Sequence, residues 1–530
     1  MKRAGGRLVV PVAERVSAGT PLRAQIYRDL RGAILEGRLK PGERLPSTRM
    51  LSAEMSVSRN TTEGAYEQLV AEGYLSRRIG SGTFVASCLP GRPLGTASRP
   101  VPVRAAAPPR GLSSRGRSLA RSLTCNDPLS VRAFGAGFPA LDEFPAALWR
   151  RLTARRLRAS GAELLGYGDP AGYPPLREAI ARYVSESRGV RCRPEDVIVL
   201  TSSLQAIGLA ARMLLERGDP VWIENPFFPG ALSALESAGA RLHAIPVDAE
   251  GIRVDEGERA AREARLAYVT PSHQYPTGMT MSLERRLALL DWARRANAWI
   301  LEDDYDSEFR YEGRPIAAIH GLDRAGRVLY LGTFTKSLFP SIRVAYLVVP
   351  PSLASPFVHA RRQLDGHTAT FPQAVIADFM NDGHFAAHLR RMRAIYRSRR
   401  DALVDALDRE LRGRVRVGPA DGGFQIVLGL DADEDDRAVA RRAAIGGIDV
   451  TPLSRCTLGK GEPALILGYS ALTPEAIRAG VRALAKVLRA APGDRPLSRP
   501  ERAGSGRARV RELPGREGPV SPRERTSRAG

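Results

Sequence analysis

Lysine is almost missing from this chain. Of the 80 basic residues among 530, five are lysine, at positions 2, 40, 336, 460 and 486; the rest are arginine. Cysteine is scarce as well. Cys88, Cys125, Cys192 and Cys456 lie far apart and match neither a metal motif nor a disulfide framework. No apolar run is long enough to span a bilayer, and the basic start lacks the apolar region of a secretory signal. These absences set the expectation of a soluble cytoplasmic protein with no membrane partner.

Hydrophobic residues make up 43% of the chain, enough for large cores, and the length suits more than one domain. The net charge of +23 is uneven: 17 of those charges fall in residues 1–86, 87–127 and 491–530. The excess at the ends and in one Pro-rich stretch points to a polyanionic partner more than to the central fold.

The rarity of lysine makes Lys336 informative. Arg does not lose its proton in a protein and cannot attack an aldehyde, whereas a desolvated Lys can. Lys336 follows the apolar run Val328-Leu329-Tyr330-Leu331 and sits in Gly332-Thr333-Phe334-Thr335-Lys336-Ser337, with Arg343 a little further on. A parallel run, Trp299-Ile300-Leu301, ends in Glu302-Asp303-Asp304-Tyr305-Asp306. Both read as buried strands with polar residues past the carboxyl end, where open α/β sheets bind ligands.

The same pattern recurs along the body. Apolar runs at 197–201, 220–224, 241–245, 266–270, 299–303, 327–331 and 344–349 alternate with helical patterns at 203–217, 229–239 and 282–297. That alternation predicts a mainly parallel sheet. Residues 128–190 and 365–490 carry long helical stretches and a strand pattern at Gly423–Leu428, and predict a second, smaller α+β lobe. Strand ends then supply one constellation. Ser202, Ser203 and Leu204 open a helix whose amides can hold a phosphate. Phe228 offers an aromatic face, and Asp303, Tyr305, Lys336 and Arg343 complete a set suited to pyridoxal phosphate (PLP). In that reading Asp303 keeps the ring nitrogen protonated.

The N-terminal segment is different. Residues 1–18 show no periodicity and read as disordered; 19–86 read as three helices and a hairpin. Apolar residues recur at helical spacing from Pro21 to Ile34, Ser47 caps a short helix, Met55-Ser56-Val57 turns, and Ser58 caps a third helix through about Glu72. Leu75–Val85 reads as a β wing around a Gly-rich tip. A third helix opening with Arg59, Asn60 and Thr61 can lay those groups in a major groove. Residues 87–127, rich in Pro, Arg, Ser, Ala and Gly, read as a flexible linker, and 491–530 as a disordered basic tail.

Residues 21–86, with LPSTR, VSRNT and GSGTFV, resemble the winged helix-turn-helix of GntR-type transcription regulators. Residues 128–490 resemble the aminotransferase-like domain of the MocR subfamily. The blocks that carry this are GYGDPAGYPPLREAIARYV, VTPSHQYPTGMTMSLERRLALL, ILEDDYDSEFRYEGRP, YLGTFTKSLFPSIRVAYLV and PLSRCTLG. The resemblance implies a multidomain protein: an α+β winged head joined to an α/β PLP-dependent transferase of fold type I with a smaller α+β lobe.

It further implies that Arg49, Arg59, Asn60, Thr61, Ile79 and Gly80 meet double-stranded operator DNA. Lys336 would form the internal aldimine with PLP, Asp303 pair with its ring nitrogen, Tyr305 contact its phenolic oxygen and Phe228 stack on it. Ser202, Ser203, Leu204, Thr333, Thr335 and Arg343 would surround the phosphate, and Arg455 hold the carboxylate of an amine or amino-acid effector. Tyr167 would approach the partner's cofactor in a head-to-tail, domain-swapped homodimer. Three positions depart from common forms: Phe228 where Tyr is usual, Ser203-Leu204 for a Gly-containing pair, and Ser56 for Gly in the helix–helix turn. Tyr275 stands where aminotransferases carry Asn, which favours regulation over turnover. The residues leave two other readings open: an active aminotransferase with a DNA-binding head, and a regulator whose PLP site no longer works.

Overall fold

The computed structural model describes residues 21–78, 80–89, 111–121, 132–159, 161–313 and 317–489. The expected disordered ends (1–18 and 491–530), most of the expected linker, and Ile79 lie outside them. The chain divides into two compact units, Met1–Gly111 and Leu112–Gly530.

In the first unit, α1 (Leu22–Leu35) buries Ile26, Leu30, Ala33 and Ile34, one stripe at helical spacing. The stripe packs on α3 (Arg59–Ala71), where Ala65, Tyr66 and Leu69 are fully buried. Ser47 caps α2 (Thr48–Glu54) by accepting the Met50 N–H, and Ser58 caps α3 by accepting the Thr61 N–H. Ser56, where the resemblance leads one to expect Gly, takes the left-handed conformation (φ 53°); for a non-Gly residue this costs roughly 1–2 kcal/mol. Strands β1 (Leu75–Arg78) and β2 (Gly82–Val85) form the wing.

The second unit begins with a difference from expectation. Helix α4 (Ser114–Arg121) lies inside the stretch read as linker, and it packs against the helix Pro229–Ala238. Its start is set by Ser113, whose Oγ accepts the Gly116 N–H at 3.0 Å.

An eight-stranded sheet forms the body. Its strands are β3 (Val197–Leu200), β4 (Pro220–Asn225), β5 (Arg241–Asp248), β6 (Gly251–Ile252), β7 (Leu266–Val269), β8 (Trp299–Asp304), β9 (Val328–Thr333) and β10 (Ala345–Val348). The order is β3-β10-β9-β8-β7-β4-β5-β6. The pairs from β5 through β4, β7 and β8 to β9 are parallel, while β10 runs antiparallel to β9 and β3. β3, β7, β9 and β10 are buried along their whole length, as expected for a sheet covered on both faces. The carboxyl ends of β3, β4, β7, β8 and β9 therefore project the polar residues that follow them.

A four-stranded antiparallel sheet forms the smaller lobe, in the order β11 (Arg416–Val417), β12 (Gln425–Gly429), β14 (Ala464–Gly468), β13 (Thr451–Pro452). The long helix His384–Leu411 and the helix Pro474–Arg489 pack together beside it. The expectation that all of 128–190 belongs to this lobe is corrected by the structure. Helix Pro174–Arg188 turns Leu176, Ile180 and Val184 toward the core that holds Val197 and Val199 of β3, so it flanks the large sheet. Periodicity shows that such a helix has an apolar face, not which sheet that face covers.

Candidate cofactor and DNA sites

A cavity of about 210 Å³ opens at the carboxyl edge of the large sheet. All ten candidates Ser202, Ser203, Leu204, Phe228, Asp303, Tyr305, Thr333, Thr335, Lys336 and Arg343 line it. Lys336 sits on the short helix Phe334–Ser337 directly after β9, and its Nζ donates to the Gly137 carbonyl at 2.6 Å. Gly137 is in the left-handed region (φ 84°), which favours glycine, and a Cβ there would lie 2.8 Å from that Nζ and displace it.

Asp303 lies near the end of β8. Its Oδ2 accepts from the Tyr268 hydroxyl at 2.6 Å, while Oδ1 is buried with no partner among the described residues. Burial, opposed by the Tyr268 bond and reinforced by the neighbouring Asp304, pushes this carboxyl up to about 7. Tyr305 shares a 2.9 Å hydrogen bond with Nδ1 of His273, and Asp306 lies 3.1 Å from the same nitrogen. Asp304 behaves differently: burial raises it, but Arg188 at 2.7 Å and the Tyr330 hydroxyl at 2.6 Å outweigh burial, and it stays below the ordinary carboxylate range.

Helix Ser203–Leu214 begins at the cavity wall, where Ser202, Ser203 and Leu204 line it and Ser202 caps the helix by accepting the Gln205 N–H. Thr333 Oγ1 accepts the Thr335 N–H at 3.1 Å, fixing both hydroxyls beside it. Arg343 adopts φ 50° and stays exposed. Phe228 meets Tyr275 edge to face at 5.4 Å.

These features fit PLP on four counts. There is one amine, a buried carboxylate oxygen with no partner for a ring N–H, a helix N-terminus with hydroxyls for a phosphate, and an aromatic face. Among the described residues no His, Cys, Asp and Glu group could hold a metal.

Two candidates lie elsewhere. Tyr167 is fully exposed and meets the His367 ring edge to face at 6.1 Å. Arg455 is half-buried at the end of a turn, outside the residues lining the cavity. Sequence reasoning missed Tyr268, Gly137 and Glu224. Glu224 is fully buried at the end of β4, and its Oε2 accepts from the Thr270 N–H, the Thr270 hydroxyl and Gln274. It therefore clamps the loop that carries Tyr275. Tyr268 and Glu224 stand inside apolar strands, where a sequence gives no sign that they face a site.

In the first unit, Arg49, Arg59 and Asn60 are exposed on α2 and α3; Thr61 is half-buried and pairs with the Ser58 hydroxyl at 2.7 Å. Gly80 is left-handed (φ 76°) at the wing tip. Arg59→Ala removes an exposed guanidinium at the start of α3. It should cost about 1–3 kcal/mol of DNA affinity if that group reads a base, with the melting of the head unchanged. Gel-shift titration measures it.

The two units thus define two protein classes in one chain: a winged DNA-binding head and a fold type I aminotransferase body. Residues 133–484 match the family model described as aminotransferase class I and II, and residues 22–85 that of bacterial regulatory proteins of the gntR family. The chain is 42% identical to the probable rhizopine catabolism regulatory protein MocR of Rhizobium meliloti, over 92% of this chain and 98% of that protein. It is 34% identical to the transcriptional regulator TauR of Rhodobacter capsulatus, over 86% of this chain and 94% of that one. Among solved structures, LysN, an α-aminoadipate aminotransferase from Thermus thermophilus complexed with N-(5'-phosphopyridoxyl)-L-leucine, is similar. It has 31% identity and a TM-score of 0.63, over 71% of this chain and 95% of that one. The chain belongs to the MocR-type GntR regulators, and as a member it is a DNA-binding regulator. No described helix is long and apolar enough to cross a membrane.

Proposed function

We propose that this is a cytoplasmic transcription regulator whose body holds PLP, through Lys336, and whose grip on operator DNA depends on what occupies that site. The carrying observation is the pairing, in one cavity, of the Lys336 amine with the partnerless Asp303 Oδ1. PLP supplies an aldehyde that condenses with primary amines and a ring that takes up electron density. Asp303 would hold the ring N–H, Tyr305 the phenolic oxygen and Phe228 one ring face. Ser202, Ser203, Leu204, Thr333, Thr335 and Arg343 would hold the phosphate.

The effector in this reading is a small amine or amino acid, with Arg455 turning toward its carboxylate. The working form is a head-to-tail homodimer with exchanged heads, in which the exposed Tyr167 becomes covered beside the partner's cofactor. The functional parts are a head at 19–86, a body at 128–490, and connecting and terminal stretches at 87–127, 1–18 and 491–530.

The test uses purified full-length protein and genomic fragments selected by its own binding. Adding PLP should change fragment affinity severalfold or more, a coupling of about 1–3 kcal/mol. Identical binding curves with and without PLP would end this reading.

A further inference from the structure

A second cavity, of about 630 Å³, lies beside the first. His273 lines the second, Tyr305 lines the first, and the two side chains are hydrogen-bonded. Three arginines of helix His384–Leu411, Arg390, Arg393 and Arg397, line it at positions i, i+3 and i+7, which is one helix face. Arg310 joins them from the loop after β8.

Among the described residues these four lack counter-ions: none lies within ion-pair distance of a carboxylate. Arg310 donates to the Thr280 hydroxyl at 3.1 Å, Arg393 to the Glu308 carbonyl at 2.9 Å, and Arg397 to the Tyr311 carbonyl. All are neutral acceptors, and Arg310 Nε is buried with no partner among the described residues. Neighbours on the same helix show the contrast: Arg391 pairs with Glu143, Arg399 with Asp142, and Arg400 with Glu312 and Asp401. Arg188, which also lines the cavity, is matched by Asp304.

The cavity has its own acids. Burial pushes Glu308 up to about 8, so at neutral pH it is mostly uncharged. Glu186, Asp306 and Asp421 remain, on other elements than the arginine face. The positive excess is therefore small, and selectivity comes from forked guanidinium geometry, which suits carboxylate and phosphate groups, rather than from bulk charge.

We infer that this cavity is a second ligand site, taking a small organic or inorganic dianion or trianion, and that its occupancy is felt at Tyr305 through His273. Binding itself is independent of the cofactor reading; only the coupling rests on it.

The test is calorimetric titration of the full-length protein, with and without added PLP. The probes are citrate and inorganic pyrophosphate, in buffer matched with chloride. One saturable site per chain is expected, and whichever probe binds tighter assigns the carboxylate or phosphate class. Arg390→Ala, which alters an exposed side chain, and Arg393→Lys, which keeps the charge but not the fork, should each weaken binding about tenfold. Arg391→Ala, outside the cavity, should not.

The absence of saturable heat, or equal affinities in wild type and both variants, would overturn the site. So would loss of retention on a mixed-sequence DNA duplex by Arg390→Ala in chloride alone, because the arginine face would then serve DNA phosphates. In the PLP-loaded protein, saturating anion should shift the visible absorbance. Heat without that shift overturns the coupling.

Discussion

Lys336→Ala protein should stay colourless after incubation with PLP, and its DNA affinity should ignore the vitamin. The effect is expected to be complete because no other lysine among the described residues lines the cavity, and an arginine there could not form the same bond. The loss is not expected to come from unfolding. The substitution removes the hydrogen bond to the Gly137 carbonyl, and a typical hydrogen bond contributes about 0.5–1.5 kcal/mol. DNA binding without PLP should match wild type, since the head forms a compact unit of its own. Absorbance spectra and paired binding curves measure both arms. A Lys336→Ala protein that still takes up colour would remove Lys336 from its proposed role.

What the sequence disclosed follows a physical pattern. Helix starts were legible because Ser47, Ser58 and Ser202 each precede an amphipathic run and cap it in the structure. The cavity was legible because parallel strands aim their carboxyl ends one way, so separate polar clusters had to meet. Tyr268 and Glu224 were not, because a buried strand residue with a polar function looks like its apolar neighbours until the facing strand is known. Gly137 was hidden for a related reason: its backbone carbonyl, not its side chain, meets Lys336 across a sequence separation of 199 residues. Helix α4 arises in a stretch with few large apolar residues, where composition argued for a tether. Arg455 and Tyr167 came from resemblance alone, and a single chain brings neither to the cavity.

The second large effect concerns Asp303 and pH. Its carboxyl is pushed from 3.8 up to about 7 by burial, so the folded protein without cofactor keeps this proton where the unfolded chain has lost it. Folding then takes up a proton between about pH 4 and 7. Stability falls as pH rises through that window, and levels off above it. Three pKa units correspond to roughly 4 kcal/mol, an upper bound on what Asp303→Asn could recover at about pH 8, where asparagine has no charge to desolvate. At about pH 4 the carboxyl is protonated in the folded state and still partly so in the unfolded chain, so the two proteins should melt nearly together. Glu302, raised to about 7 chiefly by burial, imposes the same slope on both proteins. Glu224, raised to about 7 chiefly by burial, is also raised by the charge of Asp303, so the difference between the two proteins reads position 303 together with its coupling to Glu224. PLP should reverse the ranking. A protonated ring nitrogen against Oδ1 stabilises the carboxylate and gains far less from an amide. Added PLP should therefore raise the wild-type melting temperature at the higher pH more than that of Asp303→Asn. Thermal melts at both pH values, with and without PLP, test each sign separately. Equal shifts in the two proteins would show that the buried carboxylate has no part in holding the ring.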